Sequence, residues 1–212
     1  MSTVTVALVA VALGLAMCDW VAVATNARRA EYFFKPATMI PLIVAAATME
    51  CTRPEQRNWF VVALVLSMLG DIFLMLPDEE KWFVPGLGSF LIAHLAYIGG
   101  LMVGDLNSVA FVIGVMIATG FLFLVPRIVT GAVKTDRRLG VPVLAYTLVI
   151  SVMFASAIGT GVAAAIAGAA LFCLSDYNIG YSRFVRDYPS SRIVIITTYH
   201  AAQILLVVSL TG

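Results

Sequence analysis

Five ionisable side chains interrupt otherwise apolar stretches of this chain: Asp19, Asp71, His94, Asp176 and His200. Tyr97, Tyr199 and Gln203 stand among them as polar neighbours. A charge inside an apolar helix costs roughly 2.5–3.5 kcal/mol on insertion scales, so each of these groups needs a partner or a task. Two carboxyl groups in a low-dielectric setting can hold one acid beside one carboxylate, which divides acid and base roles between them. Asp71 and Asp176 are the candidate pair for such chemistry.

Other chemistries find no support. GxSxG, HExxH, P-loop and dinucleotide motifs are absent. Ser89 and His94 are five residues apart, about 140° around a helix, which prevents them from pairing as nucleophile and base. With only two histidines a three-histidine zinc site cannot be built. The three cysteines, Cys18, Cys51 and Cys173, have no CxxC spacing and lie in or beside apolar runs, where cysteine acts as a small hydrophobe. No metal and no cofactor is expected.

These residues must be carried by elements suited to a bilayer. Hydrophobic residues make up 61% of the 212 and charged residues 12%, against about 25% charged in soluble domains. A net charge of +1 without a basic block excludes a nucleic-acid partner. Eight apolar runs approach the roughly 20 residues needed to cross about 30 Å of hydrocarbon: 4–24, 36–51, 58–76, 84–103, 108–126, 139–156, 161–179 and 191–211. The expected fold is an all-α membrane protein, one eight-transmembrane-helix bundle over 1–212, with Lys35-Pro36 opening its second span. Leu15-Ala16-Met17-Cys18 lacks a preceding cation, so the first run is expected to be a retained span. Alternate loops hold 11 of the 13 Lys and Arg; only Arg53 and Arg57 lie opposite. The positive-inside rule then places both termini outside the cytoplasm and the basic loops within it, in a plasma (inner) membrane. Asp78, Glu79 and Glu80 are expected to form a solvated turn.

Depth brings the polar groups together. Asp71 and Asp176 lie in the cytoplasmic halves of inward-running spans, with Asp19 and Lys35 near the same level. His94 lies about halfway along a returning span, Tyr97 one turn beyond it, and Tyr199 about two turns into the last. Tyr199 and Gln203 share a helix face, as do His94 and Tyr97, while His200 points about 100° away from Tyr199. Asp71 to His94 and Asp176 to Tyr199 are each 23 residues, displaced by 105, which suggests a parallel four-helix pseudo-repeat of 1–105 and 106–212. Each group also has a purely structural reading, as a backbone bonder or interhelical hydrogen bond.

The segments Leu69-Gly70-Asp71-Ile72-Phe73-Leu74-Met75-Leu76 and Gly86-Leu87-Gly88-Ser89-Phe90-Leu91-Ile92-Ala93-His94-Leu95-Ala96-Tyr97-Ile98, with Phe172-Cys173-Leu174-Ser175-Asp176, Thr198-Tyr199-His200-Ala201-Ala202-Gln203 and Lys35-Pro36, resemble the YhhN-like lysoplasmalogenase family from about residue 30 to the C-terminus. His200 departs from that pattern, which has a tyrosine there. The resemblance implies an eight-helix membrane enzyme hydrolysing the vinyl ether bond of lysoplasmalogens, with Asp71 and Asp176 as the catalytic pair. On that reading His94, Tyr97, Tyr199 and Gln203 orient substrate and water, Lys35 and Arg183 hold the head-group phosphate, and the partner is a lysophospholipid drawn from the bilayer. The residues leave the acid and base order open. They also leave open a small-solute or proton-coupled transporter, and a hydrolase of another lysolipid.

Overall fold

The computed structural model describes residues 1–211; the side chains of Glu79, Glu80 and Leu122 lie outside that description. Among the described residues the chain forms nine α-helices, one short 3-10 turn (Arg137–Leu139) and no strand. The helices are α1 (Thr3–Ala24), α2 (Arg28–Thr48), α3 (Pro54–Met75), α4 (Glu79–Leu101), α5 (Ser108–Leu122), α6 (Val125–Thr135), α7 (Gly140–Thr160), α8 (Ala163–Phe184) and α9 (Ser191–Ser209). Six are long and apolar enough to cross a membrane, namely α1, α3, α4, α7, α8 and α9. The pair α5 and α6, bent by 51° at its break, adds a seventh if it is one span. The protein is an integral, all-helical membrane protein, and valines at 4, 62, 109 and 141 cover its outer surface.

Local chemistry sets the helix ends. The Ser2 side chain accepts from the Thr5 amide at 3.2 Å, and Asn107 accepts from the Ala110 amide at 2.9 Å. Asp78, read from sequence as part of a solvated turn, caps α4 by accepting from the Lys81 amide at 3.1 Å. Asn26, at φ 56°, turns α1 into α2 in the left-handed region that asparagine tolerates better than most residues. Gly161, at φ 69°, ends α7 in the same way.

Of the boundaries that differ from the sequence expectation, two matter for the site. The second apolar run does not open at Pro36: α2 begins at Arg28, so Pro36 and Pro41 lie inside it. Each proline forfeits one backbone bond, a loss tolerated where neighbouring helices hold the element in place. Arg28, Arg29, Glu31 and Lys35 therefore form two charged turns of α2 itself. The fifth run, expected to reach residue 126, ends at Leu122, and Pro126 stands at the start of α6. The residues expected to be a loop after it instead form a short amphipathic helix, burying Val125, Ile128 and Ala132 and exposing Arg127 and Lys134.

Packing follows the membrane rule that small residues let helices approach. Ala12, Ala16, Ala45, Ala46, Ala63, Ala93 and Ala169 are completely buried. A Cβ at Gly168 would meet the Ala202 carbonyl at 3.1 Å, so α8 and α9 close tightly. Gly70 lets the Phe90 ring occupy the place of its absent side chain, 2.6 Å from an added Cβ, which fixes α4 beside Asp71. Asp71 and His94 thus ride on the α3–α4 hairpin, and Asp176 and Tyr199 on the α8–α9 hairpin.

Candidate active site

Asp71 is almost completely buried on α3 and is held by two partners. Lys35 Nζ of α2 lies 3.1 Å from its Oδ1, and the Tyr199 hydroxyl of α9 donates to its Oδ2 at 2.5 Å. The Lys35 side chain is 15% exposed, so the pair sits just inside the surface of the bundle. Tyr199 also touches Met39 Sδ at 3.6 Å. A carboxylate with one cation and one hydroxyl donor is well satisfied as an anion.

Asp176 sits in a different setting. His94 Nε2 of α4 lies 3.5 Å from its Oδ2, and the Tyr146 hydroxyl of α7 donates to the same oxygen. His94 Nδ1 is 2.6 Å from the Phe90 carbonyl, which only accepts, so Nδ1 carries the ring proton. In the neutral ring Nε2 is then an acceptor. The contact with Asp176 is attractive when the carboxyl carries a proton, and that neutral pairing avoids the cost of burying two charges.

Phe172 stands between the two halves. Its ring lies 4.5 Å from His94 on one side and 5.6 Å from Tyr199 on the other, with Phe90 at 6.4 Å. One turn deeper the Tyr97 hydroxyl donates to Gln203 Oε1 at 2.5 Å. That pair supports the aspartates from behind rather than touching them. The Ser89 hydroxyl donates to the Leu66 carbonyl at 2.6 Å.

Of the two predicted head-group ligands, Lys35 is paired with Asp71, while the Arg183 guanidinium lies 3.9 Å from the centre of the Phe83 ring. His200, turned away from the aspartates as its helical phase predicts, accepts at Nδ1 from the Trp20 indole at 3.2 Å. Among the described residues no group of three or more His, Cys, Asp or Glu is arranged to hold a metal ion.

A cavity of about 450 Å³ opens between α4, α5, α6, α7 and α8. Its wall is almost entirely apolar, including Phe83, Phe90, Phe121, Ile150 and Phe154, and its polar groups include Tyr146 and Asp176. Asp71 does not line it. The volume lies within the range of small-molecule sites. Tyr146 and α6 were the parts that sequence reading missed. Tyr146 had a usable signal, since it lies six residues into α7 from its basic end, at nearly the depth of Asp176.

Residues 30–210 match the sequence profile of the YhhN family. The chain is 34% identical over 185 residues to a Mycobacterium tuberculosis protein named lysoplasmalogenase, covering 80% of this chain and 66% of that protein. It is 33% identical over 147 residues to human lysoplasmalogenase TMEM86B, covering 69% and 61%. A bovine lysoplasmalogenase, TMEM86A, is 29% identical over 163 residues, covering 74% and 67%. The chain thus spans a little under two thirds of the length of the first two relatives. No solved structure matches it.

Proposed function

The chain belongs to the YhhN family, and from that premise we propose that it is a membrane hydrolase cleaving the vinyl ether bond of lysoplasmalogens to a fatty aldehyde and a glycerophospho-base. The observation that carries this reading is the asymmetry of the two aspartates. Asp176 lines an apolar cavity beside a histidine acceptor, and Asp71 is held outside it as an ion pair. In the membrane, α1 to α5 and α7 to α9 make the eight crossings, with both termini outside and the basic loops in the cytoplasm of a plasma membrane. The alkyl chain lies in the cavity, and Arg183, above Phe83 at its basic end, meets the phosphate together with the spare donors of Lys35.

The proton inventory closes on these residues. Asp176, as the acid, protonates the distal alkene carbon, and the electron pair of the ether oxygen makes the oxocarbenium ion. Asp71, ionised by Lys35 and Tyr199, stabilises that cation and takes a proton from the water that attacks it. The hemiacetal then collapses: Asp176 accepts the hydroxyl proton as the aldehyde forms, and Asp71 returns its proton to the departing glycerol oxygen. Both carboxyls finish in their starting states. An inverting glycosidase divides labour between its carboxyls in a comparable way. His94 and Tyr146 hold Asp176 in place, and the Tyr97–Gln203 pair fixes the helices behind it.

The deciding experiment is aldehyde release from a synthetic lysoplasmalogen by detergent-purified protein, alongside the corresponding ester lysolipid. Aldehyde from the vinyl ether substrate alone is the expected result. Folded protein that releases none across head groups and pH would overturn the proposal, and solute flux in vesicles would then move the assignment to a transporter. A second expectation concerns chain length. Ala170 lines the cavity six residues, about 9 Å along α8, beyond Asp176. Ala170→Phe fills that end, so turnover of long-chain substrates falls by on the order of tenfold or more while short-chain turnover changes little. Equal losses across chain lengths would show that the chain does not run in this direction.

A further inference from the structure

Several buried polar atoms have no part in this chemistry, and none of them lines the apolar cavity. Asp19 of α1 has no exposed surface, and neither carboxylate oxygen has a hydrogen-bond partner among the described residues. The indole N–H of Trp20 can only donate, so His200 Nδ1 is the acceptor and its Nε2 carries the ring proton. That Nε2 donor is also buried without a partner. Gln203 Nε2 and Ser67 Oγ share this condition, one helical turn beyond Tyr199 and Asp71 on the same faces. Buried polar groups are almost always satisfied, and those without protein partners are bonded to ordered water.

Helical spacing joins these groups to the basic end of the bundle. Asn26 follows the end of α1, Glu31, Lys35 and Met39 are four apart on α2, and Arg192 and Tyr199 are seven apart on α9. At the outer end Arg192 bonds Asn26 at 3.1 Å and Glu31 at 2.5 Å, and at the inner end Lys35 bonds Asp71. α1, which carries the buried Asp19, packs against both α2 and α9. The Trp20–His200 bond ties α1 to α9, and these two helices with α2 flank one line of polar side chains from the 40%-exposed Arg192 down to Asp71.

We propose that the seam between α1, α2 and α9 is a water file that supplies the hydrolytic water to Asp71, with Asp19 and His200 as its buried hydrogen-bonding stations. Its purpose rests on the hydrolase reading. Lipid and water then reach the aspartate pair from opposite sides of the bundle. An apolar chain fills the cavity at Asp176 and excludes water there, while the nucleophile arrives behind Asp71, the group assigned to activate it. Asp19 precedes the residues that match the family profile, so α1 adds a functional group that the shared segment does not contain.

Hydroxyl-radical footprinting of the purified protein tests the file without reference to activity. Met39 has no exposed surface and sits against Tyr199 in the seam; Met153 of α7 is equally buried. Bound water in the seam makes Met39 oxidise readily while Met153 stays protected. Asp19→Leu should lower Met39 oxidation several-fold with Met153 and the unfolding temperature unchanged or improved, and Asp19→Asn should retain most of it. In turnover, Asp19→Leu lowers kcat by on the order of tenfold with KM nearly constant, as loss of an oriented hydrogen bond does. A protected Met39 in the wild type, or Met39 oxidation indifferent to Asp19→Leu, overturns the proposal. Seam labelling that behaves as described in a protein releasing no aldehyde would uphold the file and remove the hydrolase reading instead.

Discussion

Replacing either aspartate by asparagine is expected to lower aldehyde release by about a thousandfold, within the 10²–10⁴ range of a lost general acid or base. Asparagine keeps the size of the side chain but can neither donate the proton that starts the reaction nor take one from water. The two variants fail for different reasons. Asp176→Asn keeps a hydrogen-bond acceptor for Tyr146 and leaves the cavity wall intact, so substrate still binds with a KM near that of the wild type. Asp71→Asn keeps an acceptor for Tyr199 but leaves the Lys35 ammonium without its counter-charge. Both proteins should purify as folded helical monodisperse material, which circular dichroism and thermal unfolding would establish. Near-normal turnover in either one removes that carboxyl from the mechanism.

Lys35→Met is expected to be the most destabilising change to the site. It strips the nearly buried Asp71 carboxylate of its ion-pair partner, and breaking a buried pair in this way costs about 3–5 kcal/mol. The 15% exposure of Lys35 places the expectation toward the lower end of that range. Without the ammonium Asp71 relieves the cost by taking up a proton, which removes the base, so turnover falls by on the order of a hundredfold or more. The double variant Lys35→Met with Asp71→Asn removes both charges and should recover much of the lost stability without any activity. A cycle of unfolding measurements on the four proteins gives the coupling directly. Additive losses would mean that the pair contributes nothing and that Asp71 is ionised for another reason.

The membrane class and the residues of the site are legible in residue order alone. Lipid requires every backbone polar group to be bonded, in helices or closed barrels, and uninterrupted apolar runs select helices because barrel strands alternate apolar and polar residues. That constraint made the helical membrane class legible without any tertiary information. The same constraint makes Asp71, His94 and Asp176 conspicuous, since an ionisable group within an apolar helix needs a partner or a task. Helical phase also predicted correctly that Tyr199 and Gln203 share a face and that His200 turns away from it. The family followed from the motifs around these residues.

Other features depended on neighbours that a linear reading does not contain. Pro36 reads as a boundary in sequence, yet α2 runs through it and through Pro41, because packed neighbouring helices and not local propensity decide whether such a break is tolerated. The amphipathic pattern of α6 was readable in principle, but its service as part of the cavity wall required α5 to stop before Pro126. Lys35 read as a cation near a membrane surface, and only the approach of α2 to α3 gave it Asp71 as a partner. The difference between the two aspartates was likewise invisible in sequence. Both are aspartates at similar depth in similar helices. One became an ion pair and the other a cavity group because α2 and α9 supply a cation and a hydroxyl to Asp71, whereas α4 and α7 supply a histidine acceptor and an apolar wall to Asp176. Residue type fixes what a side chain can do, but the charge it carries at rest is set by the groups that tertiary packing brings within a few ångströms of it.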